Sequence, residues 1–160
     1  MENKTCCVTI GEETRFYEAG TTYQKIAEDV QKDYPHQIVL AFVDGHRLQE
    51  LRKRVKEDCS IRFVTTADKI GHETYRRSMC FLLVKSVHDV GGHGNVDRVR
   101  IHFSVDKGYY CTVDGNVRMD QEFLDKVERR MRQLSGHRVP VNKRSVHTDE
   151  AVELFHRHGM

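Results

Sequence analysis

Two apolar periods alternate along the first 65 residues, and a small mixed sheet carrying one helix satisfies both. Side chains alternate around Cys7, Thr9 and Ile10, turn at Gly11-Glu12-Glu13, and resume at Arg15-Phe16-Tyr17, the two-residue repeat of strands. Tyr23, Ile26, Ala27 and Val30 then fall at i, i+3, i+4 and i+7, one face of a helix. Gly20-Thr21-Thr22 precedes them, with Thr21 or Thr22 placed to cap, and Pro35 ends the pattern. Ile38 to Val43 is a β-rich run, and Asp44-Gly45 is the strongest short hairpin signal in the chain. Leu48 and Leu51 follow, and Ser60 to Thr65 alternates again. The order β-β-α-β-β in about 65 residues predicts a β-grasp-like unit. The polar stretch Thr65 to Gly71 marks a boundary, with domains at 1–67 and 72–160.

The second domain opens with a helix predicted from about His72 to His88, with Tyr75, Met79, Leu82, Leu83 and Val87 as its apolar stripe. After the glycine-rich segment Val90 to Asn95 comes a hairpin. Val99, Ile101, Phe103 and Val105 alternate with polar residues, Asp106-Lys107-Gly108 turns the chain, and Tyr109, Cys111 and Val113 alternate on the return. Asp120 caps a helix to Leu134 with Phe123, Leu124, Val127, Met131 and Leu134 on one face, supported by Glu122–Lys126 and Glu128–Arg132 pairs and stopped by Gly136. An edge strand containing Pro140 is expected within 137–146. Thr148 is placed to cap a last helix with Ala151, Leu154 and Phe155 inward. The whole reads as α+β.

Composition excludes several classes. Twenty-six Lys and Arg against 24 Asp and Glu give a formal charge of +2, so this is no strongly basic nucleic-acid coat. Residues 1–67 hold 10 basic and 11 acidic side chains; residues 68–160 hold 16 and 13, with eight of the ten histidines. At 38% hydrophobic and 31% charged, the balance is that of a folding chain. No apolar run approaches the roughly 20 residues of a membrane span, so no membrane partner is expected. The first five residues lead straight into a strand pattern, so no signal peptide is expected. Five cysteines without a CxxC fit reduced thiols in a cytoplasmic protein.

The chemistry-bearing motifs are sparse. Gly91-Gly92-His93-Gly94 is rich in glycine, but neither GxxxxGK[ST] nor GxGxxG occurs, so it reads as a connecting loop. His72, Cys80, His88 and His93 match no standard zinc spacing, and no metal site is expected. Cys80 follows Arg76 and Arg77 by about one turn, yet it flanks an apolar stripe and reads as an inert thiol. Arg52-Lys53-Arg54 with Lys56 forms one basic cluster; Arg129, Arg130, Arg132 and Arg138 form another, diluted by Glu122, Asp125 and Glu128. With the aromatics Tyr109-Tyr110, these are the candidate RNA-contacting patches.

Residues from about 5 to 67, with Gly20-Thr21-Thr22 before the helix and Val43-Asp44-Gly45 in the hairpin, resemble a TGS domain, the β-grasp module of threonyl-tRNA synthetases, a group of GTPases and the alarmone synthetase/hydrolases. Residues 72–160 resemble the second domain of threonyl-tRNA synthetase through Arg76 to Leu83, Val105 to Asp114, Glu122 to Gly136 and Ala151 to Gly159. In that family the first helix of this domain carries HxxxH, two histidines of the editing site. Those positions fall on Arg77 and Phe81, and His72 lies one turn too early to substitute. The family's partner Cys/His motif lies downstream, beyond Met160. Together with the segment Cys80 to His93, the combination looks most like the region that precedes the P-loop domain of bacterial uridine (nucleoside) kinases.

The resemblance implies a non-catalytic regulatory or recognition region. Its own kinase domain would be its partner downstream, and ATP and magnesium would be used there and not in this chain. The abrupt end at Gly159-Met160 is read as agreeing with a missing domain. A tRNA-binding or trans-editing module related to threonyl-tRNA synthetase is the alternative. Arg77, Phe81 and Tyr109 are the candidate cleft for a nucleotide or RNA ligand. An Arg and an aromatic one helical turn apart suit binding an anion or a base, since a guanidinium stays protonated and is a poor general base. Against this stands a plain packing role, with Phe81 filling the core and Arg77 covering its rim.

Overall fold

In the computed structural model, which describes residues 4–106, 108–137, 139 and 141–157, the first alternating runs form a hairpin, β1 (Thr5–Ile10) and β2 (Glu13–Glu18), paired from Thr5↔Glu18 to Ile10↔Glu13. Helix α1 (Tyr23–Val30) follows, capped by Thr22, whose hydroxyl accepts the Lys25 amide at 3.2 Å. It passes into a 3-10 turn, Gln31–Asp33, so the helix ends before Pro35 rather than at it. Then come β3 (Ile38–Val43), β4 (Arg47–Glu50) and β5 (Cys59–Thr65). The unit has five strands where the sequence pattern counts four, because the short β4 completes the Asp44-Gly45 hairpin. Asp44 and Gly45 both take the left-handed conformation, φ 50° and 69°, as a tight primed turn requires.

The sheet order is β2-β1-β5-β3-β4, with β1 and β5 parallel and the other neighbours antiparallel. The core of this unit joins Ile26, Ala27 and Val30 of α1 to Cys6, Val8, Ile38, Ala41, Val43, Ile61 and Phe63 of the strands. Ile26 and Val8 are fully buried, each burial stabilising by about 1.5–3 kcal/mol.

Helix α2 (Lys69–Gly91) begins earlier than its predicted start near His72. The polar stretch read as a boundary is partly helical. Asp68 ends it by accepting the Thr65 amide at 2.7 Å and the Thr65 hydroxyl at 3.1 Å. Gly71 is therefore no linker glycine: a Cβ there would lie 1.9 Å from the Thr65 carbonyl oxygen. The chain divides into two compact units, Met1–Arg77 and Ser78–Met160, and the division falls within α2.

In the second unit β6 (Val96–Val105) and β7 (Gly108–Gly115) make a hairpin, followed by α3 (Gln121–Gly136) and α4 (Thr148–Arg157). Asp120 caps α3, accepting the Phe123 amide at 3.0 Å. Val87 of α2, Val96 of β6 and Val127 of α3 are buried together, with Leu83, Val99, Val113, Phe123 and Met131 around them. Arg130 ties α3 to α2 through Asp89 at 2.8 Å.

Several expectations are corrected here. Tyr75 is 48% exposed and Leu124 46%, so neither belongs to a core stripe. Gly136 lies inside α3, which is closed by His137 in right-handed conformation, not by a left-handed glycine. The described residues of 137–146 form no strand, and Arg138 and Pro140 lie outside the described residues, as do Lys107 of the hairpin turn and 158–160. Thr148 is the first residue of α4, and Leu154 and Phe155 are exposed, with no residue of that helix fully buried.

Candidate functional site

The strand alternation of β6 breaks beyond Ile101. Ile101 pairs with Cys111 and Ser104 with Tyr109, so His102 and Phe103 together oppose Tyr110 in a bulge. That places two rings of one strand against one ring of the other, with centroids 5.3 Å from His102 to Tyr110 and 5.4 Å from Phe103 to Tyr110. His102 Nε2 lies 2.9 Å from the Thr112 hydroxyl oxygen, a hydrogen bond that holds the imidazole. Phe103 is 60% exposed and Tyr110 49%, so the apolar alternation of Val99, Ile101, Phe103 and Val105 does not continue as a buried face. The sequence reading found Tyr109-Tyr110 but missed His102 and Phe103, since a bulge has no signal in apolar alternation.

Arg77 and Phe81 stand one turn apart on α2, and both are exposed. Phe81 presents 60% of its surface to solvent and so fills no core. Tyr109 is on β7, 40% exposed. No imidazole occupies positions 77 and 81, so they offer no neutral proton acceptor.

The two basic clusters differ in what holds them. Arg130 binds Asp89 and Gln133, Arg132 binds Glu128 at 2.7 Å, and Arg129 donates to the Asp125 carbonyl. Each of these cations is thus engaged within α3 or with Asp89. In the first cluster Arg52 pairs with Glu50 at 2.7 Å and Arg54 donates to the Gly20 carbonyl at 2.7 Å, while Lys53 and Lys56 make no ion pair among the described residues.

Lys53, Arg54 and Lys56 line a cleft of about 260 Å³ with Tyr23, Arg47, Gln49, Glu57 and Cys59. Arg47 and Gln49 are alternate residues of β4 and share one of its faces; neither was singled out from sequence, because Leu48 between them suggested the buried position. Leu48 is 42% exposed on the opposite face. Arg47 binds the Asp44 carboxylate and lies 3.7 Å from Glu57. A backbone hydrogen bond from Ser60, then the Arg47 guanidinium, hold the Asp44 carboxyl below its ordinary range. Burial pushes the Cys59 thiol up to about 11, leaving it protonated and unreactive at neutral pH.

Among the described residues no three His, Cys, Asp or Glu side chains gather as a metal site, and no helix is long and apolar enough to cross a membrane. The cysteines described are all free thiols.

No family model matches the chain. It is similar to a threonine–tRNA ligase of Thermotoga neapolitana, 32% identical over 142 residues, which cover 88% of this chain and 21% of that protein. A threonine–tRNA ligase of Thermotoga maritima is 30% identical over 140 residues, and one of Francisella tularensis subsp. holarctica is 27% identical over 145 residues, 91% of this chain. The chain spans about a fifth of the length of these relatives. The similarity takes in both units, and the chain is α+β, a β-grasp domain followed by a threonyl-tRNA synthetase-like domain.

Proposed function

We propose that this chain is a tRNA-recognising module related to threonine–tRNA ligases, one that binds tRNA without hydrolysing its ester. Similarity to ligases over 88% of the chain carries the reading. The exposed rings of Phe103 and Tyr110 support it, since an aromatic face stacks on an unpaired base for about 1–3 kcal/mol. The absence of a base is argued from Arg77 and Phe81: one is always protonated and the other has no titratable atom.

The relatives favour this over a regulatory region of a nucleoside kinase, a reading that rests on the sequence resemblance alone; ATP and magnesium enter only with a kinase domain.

The test is a titration of labelled tRNA with the chain over a salt series. Affinity falls linearly in log–log form with salt, because phosphate contacts release counterions. Phe103→Ala and Tyr110→Ala weaken binding at unchanged melting temperature, and seryl-tRNA keeps its ester. Absence of a complex at low salt overturns the reading; hydrolysis of seryl-tRNA overturns its non-catalytic half.

A further inference from the structure

We infer that the cleft between β4, the 51–58 loop and the first turn of α1 binds the phosphate group of a small phosphorylated molecule. The cleft belongs to the first unit and uses neither Phe103 nor Tyr110, the rings put forward for tRNA; its Lys53, Arg54 and Lys56 belong to one of the basic clusters read from sequence as an RNA patch, so the test separates the two ligands.

Its wall is built before any ligand arrives. The Tyr23 amide donates to the Lys53 carbonyl at 2.9 Å and the Gln24 amide to the Leu51 carbonyl at 2.7 Å. Val55 and Thr21 bond through the Val55 amide at 2.9 Å, and the Gly20 amide reaches the Val55 carbonyl at 2.7 Å. Val55 itself is fully buried, so the residues on either side, Arg54 and Lys56, are held at the surface by a pinned backbone. A preformed site loses little ordering entropy on binding.

The charge is concentrated far beyond what composition supplies. Residues 1–67 carry one more acid than base, yet this cleft gathers Arg47, Lys53, Arg54 and Lys56 against the single carboxylate Glu57. Arg47 is already engaged by Asp44, and neither Lys53 nor Lys56 makes an ion pair among the described residues. With Arg47 engaged by Asp44 and Glu57, Lys53, Arg54 and Lys56 leave the concavity with a surplus of positive charge that attracts an anion. Arg47 Nε is also buried with no hydrogen-bond partner, an unsatisfied donor of the kind that well-packed proteins avoid.

Shape selects the size of the anion. At about 260 Å³ the cleft lies just below the ordinary range for small-molecule pockets, roughly 300–1,000 Å³. That volume accommodates one or two phosphoryl groups. Tyr23 and Cys59 line the cleft as neutral groups, and Glu57 is its one carboxylate.

The experiment titrates the ¹⁵N-labelled chain with inorganic pyrophosphate. Saturable shifts centred on the amides of Gln49, Lys53, Arg54 and Lys56 are expected. The double change Lys53→Gln with Lys56→Gln is expected to weaken pyrophosphate about ten-fold, the loss of charge-assisted contacts, while Lys32→Gln on the exposed 3-10 turn leaves it unchanged. Both lysines are exposed and make no ion pair among the described residues, so the melting temperature stays that of the parent. Shifts that do not saturate, or equal affinity in the double variant and in Lys32→Gln, overturn the inference. So does tRNA moving these amides where pyrophosphate moves none, which assigns the cleft to RNA backbone. A failure of Phe103→Ala to affect tRNA binding bears on the tRNA reading and leaves this site standing.

Discussion

The two units of this chain fold by the same rules and finish differently. In the first, strands on either side of one helix close a continuous apolar cluster from Cys6 to Phe63. In the second, Val87, Val96 and Val127 are buried together, and the described residues of the far half of the hairpin, His102 to Asp106 and Gly108 to Tyr110, are exposed, as is most of α4. Each unit keeps its chemistry in a different place as a result. A closed core leaves polar residues to build a cleft at the sheet edge, as Arg47 and Gln49 do. A partial core leaves aromatic side chains themselves as the contact surface, as Phe103 and Tyr110 are.

The largest expected effect tests that contrast directly. Ile26→Ala removes a fully buried side chain from the closed core and should cost about 2–5 kcal/mol. Val127→Ala in the second unit should cost only about 1–2 kcal/mol for the methyls lost. Urea denaturation followed by amide exchange in each unit separates the two, and equal losses would break the comparison.

Gly71→Ala sets two effects against each other. Alanine favours an α-helix over glycine by about 1 kcal/mol. A Cβ at position 71 would meet the Thr65 carbonyl at 1.9 Å, which forces the backbone to move. Overpacking of that kind costs about 1–3 kcal/mol, so the variant should melt lower. A raised melting temperature would mean that α2 does not pack on Thr65.

Ser86→Ala should act in the opposite direction. Ser86 is fully buried in α2, and its hydroxyl has no hydrogen-bond partner among the described residues. Removing an unsatisfied group and gaining helix propensity should leave the second unit unchanged or up to about 1 kcal/mol more stable. A clear loss of stability would point to a bond for that hydroxyl.

The smallest effect is a pH dependence. Asp44 and Asp68 both have carboxyls held below their ordinary range, by the Ser60 backbone amide and by the Thr65 backbone amide respectively, with side-chain hydrogen bonds adding to each. A group depressed in the folded state contributes its full stability above its unfolded value, about 3.9, and loses it as pH falls through the folded value. The first unit should therefore weaken below about pH 4, and Asp44→Asn should flatten that fall in an acid titration monitored by circular dichroism. In the second unit burial raises the Asp89 carboxyl, but Lys85 and Arg130 outweigh it and leave it lowered, so Arg130→Gln should give the matching loss there.

What was legible in the sequence is what neighbours along the chain decide. The helical spacing of Tyr23 to Val30, the cap at Asp120, the Asp44-Gly45 turn and the Glu122–Lys126 and Glu128–Arg132 pairs all appear as read, and of Thr21 and Thr22 the structure selects Thr22 as the cap of α1. Each depends on contacts three or four residues apart or on the dihedral preference of one residue, so the local sequence suffices. The tertiary structure alone decided the rest. It set the bulge that gathers His102 and Phe103 on Tyr110, the close approach that makes Gly71 necessary, and the loss of Arg130 to Asp89. It also turned Arg47 and Gln49, not Leu48, toward the cleft. Those outcomes follow from strand register and from which distant backbone lies alongside. A shift of one residue in register exchanges the two faces of a strand without altering its pattern.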